Sequence, residues 1–259
     1  MPPLTESLLE GPIPRAEVPG WREKYGVVAG ITRKPYDLGL WTKDPVGEVS
    51  TRWREFRRVE PGFSVYVLGN QVHGTEVVTH HQGRAEGGGQ RMLSIEGVDG
   101  HVTADRGTML CVTVADCTPV YLLAIDQGSK RPSALALLHA GWRGTAGGIL
   151  KKGAELLLAA QPSSRLVAHL GVSICGDCYE VGSEVFDAMA PWADDQRPQA
   201  PGPRPAKGQL DVRAVLAQQA AALGIDEVTT STHCTRHGEG WYSHRGGDAG
   251  RMVAYLGMV

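Results

Sequence analysis

Short apolar runs rich in β-branched residues recur along almost the whole chain, separated by glycine, proline and polar residues. Runs of this length and composition predict strands, and they lie at Tyr25–Ile31, Ser64–Leu68, Thr75–His80, Met109–Val114, Val120–Ile125, Ala134–His139, Leu166–Ile174, Glu227–Ser231 and Arg251–Leu256. Helices are predicted between them, over Glu48–Val59, Ala146–Ala160, Ser183–Ala190 and Val212–Leu223. Thr145 and Asp211 stand in N-cap positions before two of these helices. Because no repeat or linker separates two cores, we expect a single α/β domain over residues 1–259 with mixed sheets.

The composition of the 259-residue chain is that of an ordinary globular protein, with 42% hydrophobic and 21% charged residues, and this excludes a disordered or fibrous protein. The net charge of −2 argues against a dedicated binder of nucleic acids or of anionic membranes. No run approaches the ~18 apolar residues of a membrane-spanning helix, and the N-terminal segment has no secretory signal pattern. We therefore expect a cytoplasmic protein with no nucleic-acid or membrane partner. Surface loops are predicted at Gly87–Gly89 and at Arg197–Gly208, which contains four prolines.

Five cysteines form an odd set in a chain long enough to build its own core, which favours free thiols over a disulfide framework. Cys175-Gly-Asp-Cys178 is a C-x-x-C motif, which is found in zinc sites and in redox pairs. The chain has no second C-x-x-C. We therefore favour buried thiols near a strand-to-helix turn for this motif.

Three potential metal ligands stand at the ends of predicted strands: His73 before Gly74, Cys117 two residues before Pro119, and His139 two residues before Gly141. Such positions often carry the chemistry of α/β proteins. Two imidazoles and a thiolate suit zinc or copper, and three protein ligands would leave a fourth position for water or substrate. The same residues also suit a hydrolase, with Cys117 as nucleophile, His139 as base and Asp116 or another acid as the orienting group. The spacing leaves both interpretations open.

Six motifs in order resemble the YfiH family, also called the laccase-domain or polyphenol oxidoreductase family. They are Gln71-Val72-His73-Gly74, Val98-Asp99-Gly100, Val114-Ala115-Asp116-Cys117-Thr118-Pro119-Val120, His139-Ala140-Gly141-Trp142-Arg143-Gly144-Thr145, Ile174-Cys175-Gly176-Asp177-Cys178-Tyr179-Glu180-Val181, and Tyr242-Ser243-His244-Arg245 with Gly250-Arg251. The resemblance implies a cytosolic, layered α/β/β/α sandwich, preceded here by an N-terminal extension over residues 1–24. It also implies one metal ion per chain, usually zinc, held by His73, Cys117 and His139.

The resemblance further implies purine nucleoside chemistry. The reactions are phosphorolysis of adenosine, inosine, guanosine or methylthioadenosine and hydrolytic deamination of adenosine, so that purine nucleosides and phosphate are the expected partners. Cys117, His139 and Arg143 are the candidate catalytic residues. Arg143 is also the main candidate for binding phosphate, with Arg33 and Arg245 as weaker candidates. The oligomeric state is left open between a monomer and a small homo-oligomer.

Two departures from the family pattern affect the suspected substrate contacts. Ile31-Thr32-Arg33-Lys34-Pro35 keeps the Thr and Arg of the family's T-T-R-x-G-G segment but neither glycine, and Ser243-His244-Arg245-Gly246 keeps one arginine of two. Trp142 and Tyr242 are candidates for stacking on a purine ring. His101, His233 and His237 match no ligand position of the family motifs.

Copper-dependent phenol oxidation is the main rival to this function, since copper also suits a His/Cys/His site. The nine histidines include no H-x-H pair, however, and a multicopper oxidase typically uses repeated H-x-H pairs. A Cys/His hydrolase and a binding protein with a vestigial site are two further candidate functions.

Overall fold

A computed structural model describes residues 2–40, 42, 44–81, 89–196 and 206–259. Residues 87 and 88 of the first predicted loop and residues 197–205 of the second lie outside this part of the chain. Within it, the strands in chain order are β1 Pro3–Leu4, β2 Ser7–Leu9, β3 Arg15–Glu17, β4 Val27–Thr32, β5 Val65–Asn70, β6 Val77–His80, β7 Arg91–Glu96, β8 Gly100–Thr103, β9 Thr108–Val114, β10 Thr118–Asp126, β11 Pro132–Ala140, β12 Ser164–Leu170, β13 Glu180–Gly182, β14 Lys207–Gln209, β15 Glu227–Ser231 and β16 Met252–Met258. The helices are α1 Trp21–Tyr25, α2 Val46–Val59, α3 Trp142–Ala146, α4 Ile149–Ala160, α5 Ser183–Ala188 and α6 Val212–Ala222, with 3₁₀ turns at Gly176–Cys178 and Asp194–Gln196. None of these helices has the length and the apolar character needed to pass through a lipid bilayer.

Two seven-stranded mixed sheets form the centre of the molecule. Sheet I has the order β1-β15-β12-β10-β11-β8-β6, and sheet II has the order β2-β3-β4-β16-β9-β5-β7. Strand β10 shows why the sheets pack face to face. Its Tyr121, Leu123 and Ile125 pack in the core between the sheets, whereas Val120 and Leu122 face the helices. Because both faces are covered, the strand is apolar along nearly its whole length rather than alternating.

Helices cover the two outer faces of the sandwich. Helices α4, α5 and α6 pack on sheet I, and α2 packs on sheet II through Val49, Trp53 and Phe56. The layers are therefore helix, sheet, sheet and helix, so the expected α/β/β/α sandwich is confirmed. The extent of the single domain stays a prediction.

The predicted strands are all present, with shifted ends. The strand expected over Leu166–Ile174 ends at Leu170, where the amide of Gly171 donates to the Pro119 carbonyl at 2.9 Å. The helix expected over Ala146–Ala160 is instead two helices, broken at Gly147 and Gly148, and Gly148 has φ 82°.

One of the two predicted helix caps is confirmed. Asp211 accepts hydrogen bonds from the backbone amides of Arg213 and Ala214 at the start of α6. Thr145 lies inside α3, and Gly148 occupies the N-cap position of α4, so the prediction for Thr145 is wrong. The reason is the glycine break, which starts α4 three residues later than the sequence pattern indicates.

The N-terminal segment contributes to both sheets. Strand β1 pairs with β15 in sheet I, whereas β2 and β3 extend sheet II beside β4. Between β1 and β2, the buried carboxylate of Glu6 contacts His169 Nε2 at 3.1 Å and accepts a hydrogen bond from Ser231 Oγ at 2.8 Å. Residues within 1–24 are thus integrated into the sandwich by backbone pairing and by a buried polar cluster.

Candidate metal centre

Three neighbouring loops carry the chain from sheet II to sheet I at one end of the sandwich. The β5–β6 loop contains His73, the β7–β8 loop contains Asp99, and the β9–β10 loop contains Cys117. His139 lies near the end of β11 and is paired with Pro119, two residues after Cys117, so it reaches the same end. The fold thereby brings together four side chains that are far apart in sequence.

Asp99 organises the loop that presents His73. Its fully buried carboxylate accepts hydrogen bonds from the backbone amides of Val72, His73 and Gly74 at 3.2, 3.0 and 2.8 Å. His73 has φ 58°, a left-handed conformation that costs a non-glycine residue about 1–3 kcal/mol. The three bonds to one carboxylate hold the loop in that conformation.

The same carboxylate orients the second imidazole. Asp99 Oδ1 lies 2.8 Å from His139 Nδ1, and donation from Nδ1 leaves the lone pair of Nε2 free for a metal. The ring centroids of His73 and His139 are 4.9 Å apart. The ligand atoms of His73, Cys117 and His139 all lie within 4.8 Å of one another. The structure thus brings together the three residues that the sequence singled out.

The electrostatics of this cluster favour the metal-binding form of the thiol. Burial raises the pKa of Cys117, but the charge of His139 and hydrogen bonds to both imidazoles outweigh burial, so the pKa lies below its ordinary value of 9.0. Burial lowers the pKa of His139, but the Cys117 sulfur and Asp99 outweigh it and hold that pKa above 6.5. The lowered pKa of Cys117 therefore favours its thiolate, which is the form that binds metals.

Gly141 leaves the room that such a centre needs. A Cβ atom at this position would lie 3.0 Å from Cys117 Sγ and 3.2 Å from His73 Cδ2. The backbone of Gly141 is extended, with φ −78° and ψ 174°, a conformation open to any residue. The glycine is therefore required by the space beside the two ligand side chains rather than by the backbone.

A cavity of about 550 Å³ opens over the three residues, within the range of small-ligand sites. Three arginines line it: Arg143, Arg245 and Arg251. The exposed guanidinium of Arg143 lies 4.3 Å from the centroid of the Trp142 ring, which also lines the cavity. No carboxylate among the described residues forms an ion pair with Arg143, so its charge is available to a ligand.

Arg245 and Tyr179 form a second wall of the cavity. Arg245 donates to the carbonyl of Glu180 at 2.7 Å, and its guanidinium lies 4.9 Å from the centre of the Tyr179 ring. Burial and the negative charge of Cys117 raise the pKa of Tyr179 to about 12, so its hydroxyl keeps its proton at neutral pH.

Two residues proposed from the sequence lie elsewhere. Arg33 does not line the cavity; it pairs with Glu10 at 3.1 Å and stacks over Trp241 at 5.3 Å. Tyr242 is also outside the lining and donates its hydroxyl to the Pro35 carbonyl at 2.8 Å. The expected phosphate contact by Arg33 and the expected purine stacking by Tyr242 thus lack support from their positions.

Asp116 lies in the cavity wall but faces away from the His139 ring nitrogens. Its carboxylate accepts from the Thr235 hydroxyl at 2.5 Å and from the Arg245 amide at 2.7 Å. The acid that orients His139 is therefore Asp99, and the orienting role expected of Asp116 is wrong.

Asp99, Tyr179 and Arg251 stand within the sequence motifs, but the motifs alone predict no role for them. For Asp99 the available signal is an acid between Val98 and Gly100 at the start of an apolar strand. A carboxylate in that position is buried, and a buried carboxylate needs donors. The positions of Tyr179 and Arg251 at the cavity follow from loop geometry, which the sequence pattern does not contain.

Comparison with known proteins identifies the family. Residues 23–259 match the family described as multi-copper polyphenol oxidoreductase laccase. The chain belongs to this family. The resemblance seen in the six motifs is thereby confirmed, and the family match begins at the end of the N-terminal extension.

Relatives within the family carry names that refer to purine nucleosides. The chain is 32% identical over 255 residues to the purine nucleoside phosphorylase YlmD of Geobacillus stearothermophilus, covering 90% of each chain. It is 33% identical over 175 residues to the adenosine deaminase RL5 of an unknown prokaryotic organism, covering 66% of this chain and 65% of RL5. The crystal structure of the Geobacillus YlmD superimposes with a TM-score of 0.81 at 28% identity, covering 99% of both chains. These relationships indicate an enzyme.

Proposed function

We propose that the protein is a zinc-dependent purine nucleoside phosphorylase that also deaminates adenosine. The observation that carries this proposal is one cavity that combines the donor set of His73, Cys117 and His139 with the positive charge of Arg143, which pairs with no carboxylate of the described residues. The names of the relatives from Geobacillus and of RL5 support the same two reactions. The five free cysteines support a cytoplasmic location. A monomer or a small homo-oligomer stays a prediction.

The residues present fit a single zinc ion. Two imidazole nitrogens and one thiolate are common zinc ligands, and a catalytic zinc site typically has three protein ligands and one open position. The bond from His139 Nδ1 to Asp99 is the carboxylate–histidine arrangement that supports metal ligands. When bound here, zinc would supply a Lewis acid that polarises an oxygen ligand and lowers the pKa of water towards about 7.

The arginines that line the cavity are the candidate residues for binding the phosphate used in phosphorolysis. In that reaction a phosphate oxygen forms a bond to C1′ of the ribose, and the bond from C1′ to the purine nitrogen breaks with its electron pair going to the base. A guanidinium binds phosphate by two parallel hydrogen bonds. Arg143 is the best suited because its guanidinium has no hydrogen-bond acceptor among the described residues, whereas Arg245 and Arg251 on the same lining donate to backbone carbonyls. We assign no substrate contact to Arg33.

Aromatic and apolar side chains of the cavity are the candidate contacts of the purine base. Trp142 and Tyr179 line the cavity together with Leu40 and Leu68, and aromatic rings bind planar bases by stacking. Because the Tyr179 hydroxyl keeps its proton, it is able to donate a hydrogen bond to a purine nitrogen or oxygen. In deamination, water adds to C6 of adenine and ammonia leaves.

The donor set argues against phenol oxidation of the multicopper type. Within the described residues, one cluster of three His, Cys, Asp or Glu ligands borders the cavity. A blue copper and a trinuclear copper cluster would need many more histidines, and the chain has nine in total. Cu²⁺ binds such ligands at least as well as Zn²⁺, so copper would occupy the His/Cys/His set. One copper ion at this set would not make the protein a multicopper oxidase.

A Cys/His hydrolase is the second candidate, and one observation favours it. Cys117, His139 and Asp99 are connected as nucleophile, base and orienting acid. The two functions differ in their need for metal. Hydrolysis by this triad would persist after complete chelation, whereas the proposed reactions would stop.

The decisive experiment incubates the purified protein with adenosine or inosine, with and without phosphate, and separates the products chromatographically. Wild type is compared with Cys117→Ala and His139→Ala, and bound metal is quantified in each. We expect phosphate-dependent release of the free base, release of inosine from adenosine, about one zinc at this site in wild type, and loss of both activities in the two variants. Unchanged turnover in folded variants that lack the metal would refute the proposal.

A further inference from the structure

A second cluster of metal-ligating side chains lies outside the cavity. Cys175 and Cys178 are only partly buried, which corrects the expectation of buried thiols, and they face Cys234 and His237. The second pair has the spacing C-x-x-H, and Cys234 lies 56 residues after Cys178. A search for a second C-x-x-C does not find this pair, although His233-Cys234-Thr235-Arg236-His237 is an H-x-x-x-H that contains it.

Backbone hydrogen bonds hold the two pairs together. Ser173 and Cys234 form a parallel β-bridge, and the amide of Thr235 donates to the Ser173 carbonyl at 3.1 Å. Cys178 ends the 3₁₀ turn that follows, which directs it back towards Cys175. The four ligand atoms are thus placed by main-chain geometry from two loops rather than by four flexible side chains on a surface.

The distances within this cluster agree with a tetrahedral metal site. The four ligand atoms all lie within 4.8 Å of one another, and His237 Nδ1 is 3.3 Å from Cys178 Sγ and 3.8 Å from Cys175 Sγ. Ligands of a tetrahedral zinc at about 2.3 Å (sulfur) and about 2.0 Å (nitrogen) would be roughly 3.5–3.8 Å apart. A disulfide requires about 2.05 Å between two sulfurs, and the three cysteines are free.

The sulfur of Cys234 is surrounded by backbone donors. The amide of Cys175 donates to it at 3.3 Å, and the amides of Arg236 and His237 also donate to it. Hydrogen bonds from backbone amides to a coordinating sulfur stabilise its negative charge in metal sites. Such bonds are the arrangement that a thiolate ligand needs, and a redox pair formed by Cys175 and Cys178 would not require them at Cys234.

We propose that Cys175, Cys178, Cys234 and His237 bind a second zinc ion, which has a structural role. Three cysteines and one histidine form a complete set of four protein ligands, and a closed set of this kind is typical of structural zinc. This site differs from the one at the cavity, where three protein ligands leave a position open. The ion would join the loop after β12 to the loop after β15.

These two loops also shape the cavity. Tyr179, the residue after Cys178, lines it, and Thr235, the residue after Cys234, donates to Asp116 beside Cys117. Loss of the second ion should therefore loosen the wall at Tyr179 while the ligands His73 and His139 keep their own metal. The expected kinetic effect is a rise in KM for the nucleoside that exceeds the fall in kcat.

The test measures zinc per chain in the full-length protein after gel filtration in metal-free buffer. We expect about two zinc ions in wild type, about one in Cys178→Ser and in His237→Ala, and about one in Cys117→Ser, which removes the other ion. His237→Cys should retain two, because four cysteines also bind structural zinc. His81→Ala, which removes an exposed histidine outside both sites, is the matched control and should also retain two.

Substitution of zinc by Co²⁺ gives an independent measurement. The cobalt bound in Cys117→Ser should show the intense sulfur-to-metal absorption of three thiolates, and that band should disappear when His237→Ala and Cys178→Ser are added to Cys117→Ser. One zinc in wild type that persists in His237→Ala and Cys178→Ser would overturn the proposal. A Cys175–Cys178 disulfide in protein purified without reductant would overturn it as well. Neither result depends on which reaction the enzyme catalyses.

Discussion

Replacing Asp99 with asparagine tests the organisation of the metal centre most directly. Asp99 is fully buried and its two oxygens serve three backbone amides and His139 Nδ1. Asparagine has nearly the same shape, but one oxygen becomes an NH₂ group, which only donates. No orientation of the amide satisfies all four neighbours.

Each of the two orientations has a definite consequence. If the NH₂ replaces Oδ2, the amides of Val72 and Gly74 lose their acceptor. If it replaces Oδ1, the His73 amide loses its acceptor, and His139 must accept at Nδ1, which places the proton on Nε2. Nε2 is the atom left to bind the metal, so this tautomer cannot be a ligand.

The magnitudes follow from the number of bonds lost. A buried donor without an acceptor costs about 1–3 kcal/mol, so the metal-free Asp99→Asn protein should be less stable by about 1–3 kcal/mol if the NH₂ replaces Oδ1 and by about 2–6 kcal/mol if it replaces Oδ2. Zinc affinity should fall about 10–100-fold, the usual effect of removing a hydrogen-bond partner of a metal ligand. That range corresponds to about 1.4–2.7 kcal/mol.

Zinc affinity is measured by competition with a chromophoric chelator, and stability by urea unfolding in the presence of a strong chelator. The matched control is Asp126→Asn, because the Asp126 carboxylate accepts hydrogen bonds from Ser129 within its own turn. A folded Asp99→Asn protein with the zinc affinity of wild type would refute the role assigned to this carboxylate.

Three further predictions concern other parts of the molecule. Gly141→Ala should lower zinc content by crowding two ligand side chains, with little change in the free energy of unfolding. The control Gly47→Ala, where a Cβ meets no atom within 4 Å, should leave zinc content unchanged. Both variants are checked by metal analysis and urea unfolding. Arg143→Ala should lower kcat/KM for phosphate about 10–150-fold, as expected for a lost charged hydrogen bond, and Arg33→Ala should stay within about 2-fold; equal effects would contradict the assignment. Burial raises the pKa of Glu6, but the hydrogen bonds to its buried histidine and serine partners outweigh burial, so this pKa lies below 4.5 in the folded protein. The Glu6 carboxylate therefore stabilises the fold above pH 4.5, and this stabilisation is lost as the pH falls through the lower folded-state pKa. Glu6→Gln should therefore show a weaker loss of melting temperature on acidification than wild type, and parallel curves would contradict this.

The strands that cross the core were predictable because both of their faces are buried. Runs such as Val120–Ile125 are apolar at every position, and this pattern predicts a strand without any knowledge of its partners. The sequence pattern of two other strands was too weak to detect: β7 is exposed or only partly buried along its length, and β8 has four residues, of which His101 and Thr103 are polar. The break between α3 and α4 depends on the left-handed conformation of Gly148. A single glycine is tolerated within a helix, so the helical spacing of apolar residues did not reveal this break.

The candidate ligands were predictable, but their partners were not. His73, Cys117 and His139 each stand within two residues of a glycine or proline at a predicted strand end, and that local signal is visible in the sequence. Which acid orients His139 depends on three loops crossing between the sheets side by side. Adjacency in sequence suggested Asp116, whereas the fold supplies Asp99, 40 residues from His139. The second cluster was missed for the same reason, since its two halves come from different loops.

Asp116 connects the two clusters and suggests how they depend on each other. It has φ 88°, in the left-handed region, and its carboxylate is held by Thr235 and by the Arg245 amide. Because Asp116 directly precedes Cys117, the contacts that hold its backbone also fix where the Cys117 sulfur points. A zinc ion at the second cluster would hold Thr235 in place, so its loss should affect the position of Arg245 and Tyr179 before it affects the imidazoles, which are held by Asp99 instead. Loss of the second zinc ion should therefore weaken substrate binding first, and the metal at the cavity should be lost last, because different residues hold the cavity wall and the imidazoles.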